Sequence, residues 1–334
     1  MTSPTALPLA DPALAERIAA RLDLVEDRLR AAAAYADELV DDAAHHLADA
    51  GGKRLRPMLT LLAAELGDGT RDEVLSAAVV VELTHLASLY HDDVMDSAPL
   101  RRGAPAAHEV WGNSVAILVG DLLFSRASTT VADLGPEAVK IQAGTFERLC
   151  LGQLHESMGP AEGDDPVEHY LRVLADKTAS LIATSARLGA MYGGCATEVV
   201  ETVAAFGERI GVAFQLADDV IDLSLDGTLS GKTPGTDLRE HVPTMPVLLL
   251  RERAARDARP EDVALVELLD SDLSADEDLA RAVAALSAHE VVEQTRDRAL
   301  ALVDEAVALL APLPAGPVKD SFVSFAEALV NRAS

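Results

Sequence analysis

Residues 72–96 read DEVLSAAVVVELTHLASLYHDDVMD. The stretch is alanine- and valine-rich, strongly apolar, and ends in three aspartates, Asp92, Asp93 and Asp96. Its length suits a helix rather than a strand. In a helix Asp92 and Asp96 project from one face, one turn apart. His85 and Leu89 fall on the same face, so His85 points into whatever space the carboxylates line. Like charges at that spacing repel, and near a helix C-terminus they oppose the dipole. A divalent cation reverses both penalties.

The pattern recurs. Asp218, Asp219 and Asp222 close a second apolar helix, with Gln215 one turn inward on the same face. With 55 acidic residues in 334, one such triplet is expected by chance. Two all-aspartate copies, each after an apolar helix, are much harder to obtain that way. Mg²⁺ takes a few carboxylates, several waters and phosphate oxygens, so the pair points to a bound diphosphate.

Helical spacing continues outward from these two segments. Leu14, Ile18, Leu22, Val25 and Leu29 advance by threes and fours, and one helical pattern runs from Pro12 to about Ala50. Further helices are predicted at about 56–66, 113–133, 137–158, 166–191, 197–224, 244–257, 260–270, 275–286, 288–311 and 316–331. Gly/Pro punctuation separates them. The longest interior loop, 225–243 (LDGTLSGKTPGTDLREHVP), follows the second aspartate cluster and is expected to close over bound ligand. No internal repeat, alternating strand or linker is visible. Aromatics are only 3% of the chain, and strands favour the residue types that are scarce here. The expectation is all-α: residues 1–12 a disordered leader, residues 13–334 one large helical domain.

Charge narrows the partners. Lys+Arg 28 against Asp+Glu 55 gives −27. Such a field repels nucleic acid and anionic lipid, and an anionic substrate needs local cations to overcome it. No run of about 18 uncharged apolar residues predicts a membrane span. The two cysteines, Cys150 and Cys195, have no metal spacing and read as small buried residues of a reducing compartment, the cytoplasm. The cations do cluster. Gly51-Gly52-Lys53-Arg54-Leu55-Arg56-Pro57 puts three at a loosened turn opening a helix, a site suited to phosphate. Arg101-Arg102-Gly103 follows the first aspartate motif, and Lys177-Thr178 and Lys232 stand alone.

GGKRLRP, ELTHLASLYHDDVMDSAPLRRG, KTASL, FQLADDVIDL and GKTPGTDL, in this order, resemble the trans-isoprenyl diphosphate synthases. The resemblance runs from about Gly51 to the C-terminal helix. It implies a helical bundle around a deep apolar cavity, usually a homodimer, that condenses isopentenyl diphosphate head-to-tail with an allylic diphosphate. By motif, Asp92, Asp96 and Asp218 should be direct Mg²⁺ ligands, with Asp93, Asp219 and Asp222 supporting them and three ions present when diphosphate is bound. Lys53, Arg56, His85 and Arg102 should hold isopentenyl diphosphate. Arg101, Lys177 and Lys232 should hold the allylic diphosphate, and the Thr178 hydroxyl and Gln215 carbonyl should face the developing cation. One departure is visible: His241-Val242 stands where many members have Gly-Lys.

Two other readings compete. A class I terpene cyclase binds no second diphosphate, which leaves GGKRLRP and His85 unexplained. A non-catalytic subunit of a heteromeric synthase should have lost aspartates. Product length turns on the positions four and five before Asp92. Ser88 and Ala87 are small, which predicts a tail of at least four isoprene units, with Leu122, Leu123 or Phe124 as deeper floor candidates.

Overall fold

The structure is a computed structural model describing residues 11–224 and 234–330. Lys232, with residues 225–233 of the 225–243 loop, and nearly all of the expected leader lie outside the described residues. Among the described residues the chain is helical, with one two-residue hairpin.

The elements divide between two compact units, each drawn from three stretches of chain. Residues 1–149, 180–208 and 309–325 form the first. Its centre is α4 (Asp72–Met95), which packs against α1 (Pro12–Ala33), α3 (Leu55–Ala64), α6 (Asn113–Asp133) and α9 (Ser180–Tyr192). A helix apolar on every side has to be surrounded, and Val74 to Leu83 are almost wholly buried. Ala77, Val80 and Val81 meet Val131 of α6, Ala138 and Leu149 of α7 (Pro136–Met158), and Leu181 and Leu188 of α9.

The pattern predicted as one helix over 12–50 is two. Asp11 caps α1 through Leu14 N–H at 2.7 Å, so Pro12, expected in the leader, is its first residue. The backbone turns extended at Ala34, and Asp37 caps α2 (Glu38–Asp49) through Val40 N–H at 3.2 Å. A short carboxylate that bonds the backbone ahead of it competes with helix continuation. After α4, β1 (Leu100–Arg101) pairs antiparallel with β2 (Ala104–Pro105) across a turn in which Arg102 and Gly103 both have positive φ, 54° and 78°. That turn matches strand twist in tight hairpins. A short α5 (Ala107–Trp111) leads into α6.

Residues 150–179, 209–308 and 326–334 form the second unit. It contains the end of α7, α8 (Pro166–Leu174), most of α10 (Thr197–Asp222), α11 (Thr236–Arg239), α12 (Met245–Asp257), α13 (Pro260–Leu269), α14 (Asp276–Ser287) and most of α15 (Glu290–Leu309). The last helix is α16 (Pro317–Val330). The helix predicted over 166–191 is interrupted by a π-helical turn, Ala175–Ala179. Gly152 of α7 permits it: a Cβ there would stand 2.5 Å from the Lys177 nitrogen.

Two described helices, α4 and α6, are long and apolar enough to cross a membrane. In the most apolar stretch of α4, 72% is buried inside the protein, which is how a core helix passes the same test; for α6 the figure is 33%. Cys195 is partly buried, but Cys150, expected inside, is exposed on α7.

Candidate active site

In the first unit the aspartate motif ends α4, and its three carboxylates have different surroundings. Asp92 is partly exposed and Asp96 exposed, whereas Asp93 is fully buried. Arg101 reaches back from the hairpin to Asp93, donating from Nε at 2.6 Å with Nη2 at 2.5 Å from the same oxygen. Burial pushes the Asp93 carboxyl up, against the pull of Arg101. Asp93 is thus spent on holding the hairpin, and the outer two aspartates are left on the accessible side.

The second unit repeats this at the end of α10. Gln215, Asp218 and Asp222 are partly exposed and Asp219 is buried. Tyr170 of α8 lies 2.9 Å from both Asp219 oxygens, and Met245 N–H donates to one of them at 3.1 Å. Burial raises the Asp219 pKa to about 8. Asp222 accepts the Asp237 N–H at 3.2 Å and, through its backbone carbonyl, the Gly235 N–H at 2.8 Å, so it anchors α11. Tyr170 escaped the sequence reading, although it stands seven residues before Lys177 in the same helical pattern.

Lys177 and Thr178 sit on the π-turn, partly exposed, and Lys177 pairs with Glu156 of α7. An i→i+5 turn displaces one residue from the α-helical register, which is how it re-aims side chains at functional sites.

The GGKRLRP turn distributes its cations. Lys53 is exposed. Arg54, predicted to join the anion site, is turned inward, 5% exposed, and paired with Glu26 of α1 and Glu82 of α4. Arg56 has its Nε buried without a hydrogen-bond partner. Burial and the neighbouring Arg102 lower the Arg56 pKa to about 10. Arg102, at the hairpin tip, donates to the carbonyls of Leu47, at 2.7 Å, and Gly51. His85 is held well below its ordinary pKa by desolvation and by Arg56 and Arg102, so its ring is neutral near pH 7. Arg56 and Arg102 bring two buried guanidiniums together in a strongly acidic chain, and Arg56 keeps an N–H without an acceptor, which suits a diphosphate.

The donors at the ends of α4 and α10 are all oxygen, the set that hard divalent cations take. Among the described residues no three carboxylate, His or Cys side chains converge into a ready-made cage.

The polyprenyl synthetase family profile matches residues 37–286, three quarters of the chain. The chain belongs to the polyprenyl synthetase family. It is 42% identical over 325 residues to nonaprenyl diphosphate synthase of Mycobacterium tuberculosis, covering 97% of this chain and 96% of that one. It is 40% identical to dimethylallyltranstransferase of the same organism over 265 residues, 79% of each chain. Among solved structures it resembles geranylgeranyl pyrophosphate synthase from Corynebacterium glutamicum, complexed with calcium and isoprenyl diphosphate. The TM-score is 0.86 at 40% identity, over 98% of this chain and 99% of that one. Polyprenyl synthase from Caulobacter crescentus, complexed with the same two ligands, gives a TM-score of 0.88 at 30% identity over 100% of both chains. Like other members of the polyprenyl synthetase family, this chain is a prenyltransferase.

Proposed function

We propose that this polyprenyl synthetase joins isopentenyl diphosphate head-to-tail to an allylic diphosphate and lengthens an all-trans prenyl chain to four or more isoprene units. The observation that carries the reading is one design built twice. In each motif the second aspartate is locked into the fold by Arg101 or Tyr170, and the outer two remain on the accessible face.

Asp92, Asp96 and Asp218 are the proposed direct Mg²⁺ ligands, three ions being held when diphosphate is bound, and Asp93, Asp219 and Asp222 keep them in place. The calcium in the two related structures supports a divalent cation. Bound Mg²⁺ supplies positive charge against the pyrophosphate oxygens as the allylic C–O bond breaks. Arg101, Lys177 and Lys232 hold the allylic diphosphate. Lys53, Arg56, His85 and Arg102 hold isopentenyl diphosphate, whose double bond supplies the electrons of the new C–C bond. The bond pair of the broken C–O bond leaves with pyrophosphate, which takes up the proton lost at the end. Thr178 and Gln215 turn oxygen dipoles toward the transient cation.

A homodimer completes the proposal. Ile117 and Leu118 of α6 and Val110 of α5 are exposed apolar residues on consecutive helices, and a second copy of the chain is the occupant proposed for them.

The test is pyrophosphate release with and without isopentenyl diphosphate, with products read by mass spectrometry. Release should require both isopentenyl diphosphate and Mg²⁺. Asp92→Ala or Asp218→Ala should lower turnover by several orders of magnitude, since the charge they hold acts mainly in the transition state. Release without isopentenyl diphosphate, or near-normal turnover in either folded variant, refutes the reading.

A further inference from the structure

We propose that Arg54 and Glu82 are positioning residues for isopentenyl diphosphate, a buried ion pair that fixes the Gly51–Pro57 turn and keeps Arg56 and Arg102 aimed at the diphosphate. The inference rests on the reading of that turn as the isopentenyl diphosphate site. Neither residue is in a place to touch the substrate. Arg54 is 5% exposed and Glu82 2%.

The turn needs holding. Arg54 sits in the left-handed region, φ 47° and ψ 38°, immediately before the first residue of α3. A residue with a side chain stays there only when its surroundings over-determine it. Here the side chain does so. Nη1 donates to Glu82 at 2.7 Å, Nη2 to the Ala48 carbonyl at 2.8 Å and to Glu26 at 3.2 Å, and Nε to the other Glu26 oxygen. One guanidinium thereby ties α1, the end of α2 and α4 to the start of α3. Ala48 lies in the last turn of α2, whose free carbonyls favour a cation, and Arg102 takes the Leu47 carbonyl one residue earlier.

Glu82 has a second effect. It is three residues before His85 on α4, hence on the same face. It is the carboxylate felt most strongly by Arg54, Arg56 and Arg102 alike. Burial pushes all three guanidiniums down, and in Arg54 the two glutamates more than offset it. Committed by contact to Arg54, Glu82 lends its field to Arg56 and Arg102 without occupying their donors. Arg56 keeps a buried Nε–H for which the protein supplies no acceptor.

The test separates positioning from mere support, because a buried ion pair replaced on both sides by apolar residues commonly keeps its stability whereas a half-broken pair does not. Arg54→Met and Glu82→Met should each lower Tm. The Arg54→Met/Glu82→Met double variant should regain most of the loss, Glu26 being 21% exposed and able to reach water. The double variant should still show a KM for isopentenyl diphosphate raised at least tenfold, with the KM for the allylic diphosphate within twofold of wild type. A wild-type isopentenyl KM in the refolded double variant, or equal rises in both KM values, overturns the proposal and leaves the pair a structural one. Arg56→Ala is run beside them: an unchanged isopentenyl KM there overturns the assignment of the site itself, and the inference falls with it.

Discussion

His85 shows how much one side chain's surroundings decide. The ring carries a pKa well below its usual range because desolvation and two neighbouring guanidiniums oppose its charge. Above about pH 6.5 the ring is neutral folded or unfolded and adds nothing to the pH dependence. As pH falls through that value, the unfolded chain binds a proton that the folded chain refuses, so stability is lost toward acid. The slope is about 1.4 kcal/mol per pH unit once below that range. Urea unfolding of wild type and His85→Gln at pH 7.5, 6.5 and 5.5 should give curves that converge toward acid, the variant losing less. Parallel curves would show that His85 is not held neutral. The outer aspartates, His85 and Gln215 were legible because a 3.6-residue period fixes which of them share a face. The different fates of Asp92 and Asp93 were not. They turn on Arg101, eight residues away across a two-residue hairpin that no periodicity marks, just as Asp219 turns on Tyr170, 49 residues earlier. Arg54 was misread for a related reason: its carboxylate partners lie 28 residues away on either side, and the only hint was a lone glutamate inside VVVELTH.

At the level of elements, long apolar runs were readable nearly to the residue, and breaks without Gly or Pro were not. The join of α1 to α2 passes through Ala-Ala-Tyr-Ala-Asp, and the π-turn through Ala-Asp-Lys-Thr-Ala, all residues that a helix accepts. Only capping by Asp37 and the approach of the Gly152 backbone decide them. The same attention to element packing sharpens the product-length expectation. Ala87 is 2% exposed, and its carbonyl lies where α4 packs against α6: a Cβ on Gly120 would stand 3.2 Å from it. A ring at Ala87 presses on that contact, and overpacking of this kind costs about 1–3 kcal/mol. Ser88 is only partly buried and stands about one helical turn before Asp92, with its hydroxyl turned back to the His85 carbonyl at 2.8 Å. Ser88→Phe should therefore shorten the product by one or more isoprene units with little loss of Tm, whereas Ala87→Phe should shorten it and lower Tm as well. Wild type stopping at three units, or both variants giving wild-type product, ends the argument.

For the whole molecule, the absence of a linker in the sequence follows from how the two units are made. Each is assembled from three separated stretches of chain, so their boundaries fall inside helices such as α7 and α10 rather than in any polar spacer. Charge acts at this scale too, and it bears on the dimer. Each chain carries −27, so two copies repel at long range. The residues proposed to meet, Val110, Ile117 and Leu118, are 50%, 41% and 60% exposed and apolar. Attraction there is short-ranged and insensitive to screening, whereas the repulsion reaches about 30 Å at 0.01 M salt and about 8 Å at 0.15 M. Raising salt over that range should therefore tighten the dimer, the reverse of what an interface held by ion pairs would do. Sedimentation equilibrium of the wild type should show a dissociation constant that falls as salt rises. Ile117→Glu/Leu118→Glu should be monomeric at every salt concentration, because it places two charges in the contact and adds to the repulsion. A wild-type monomer throughout, a dimer that salt loosens, or a double variant that dimerises like wild type would each show that this face is not where two copies meet.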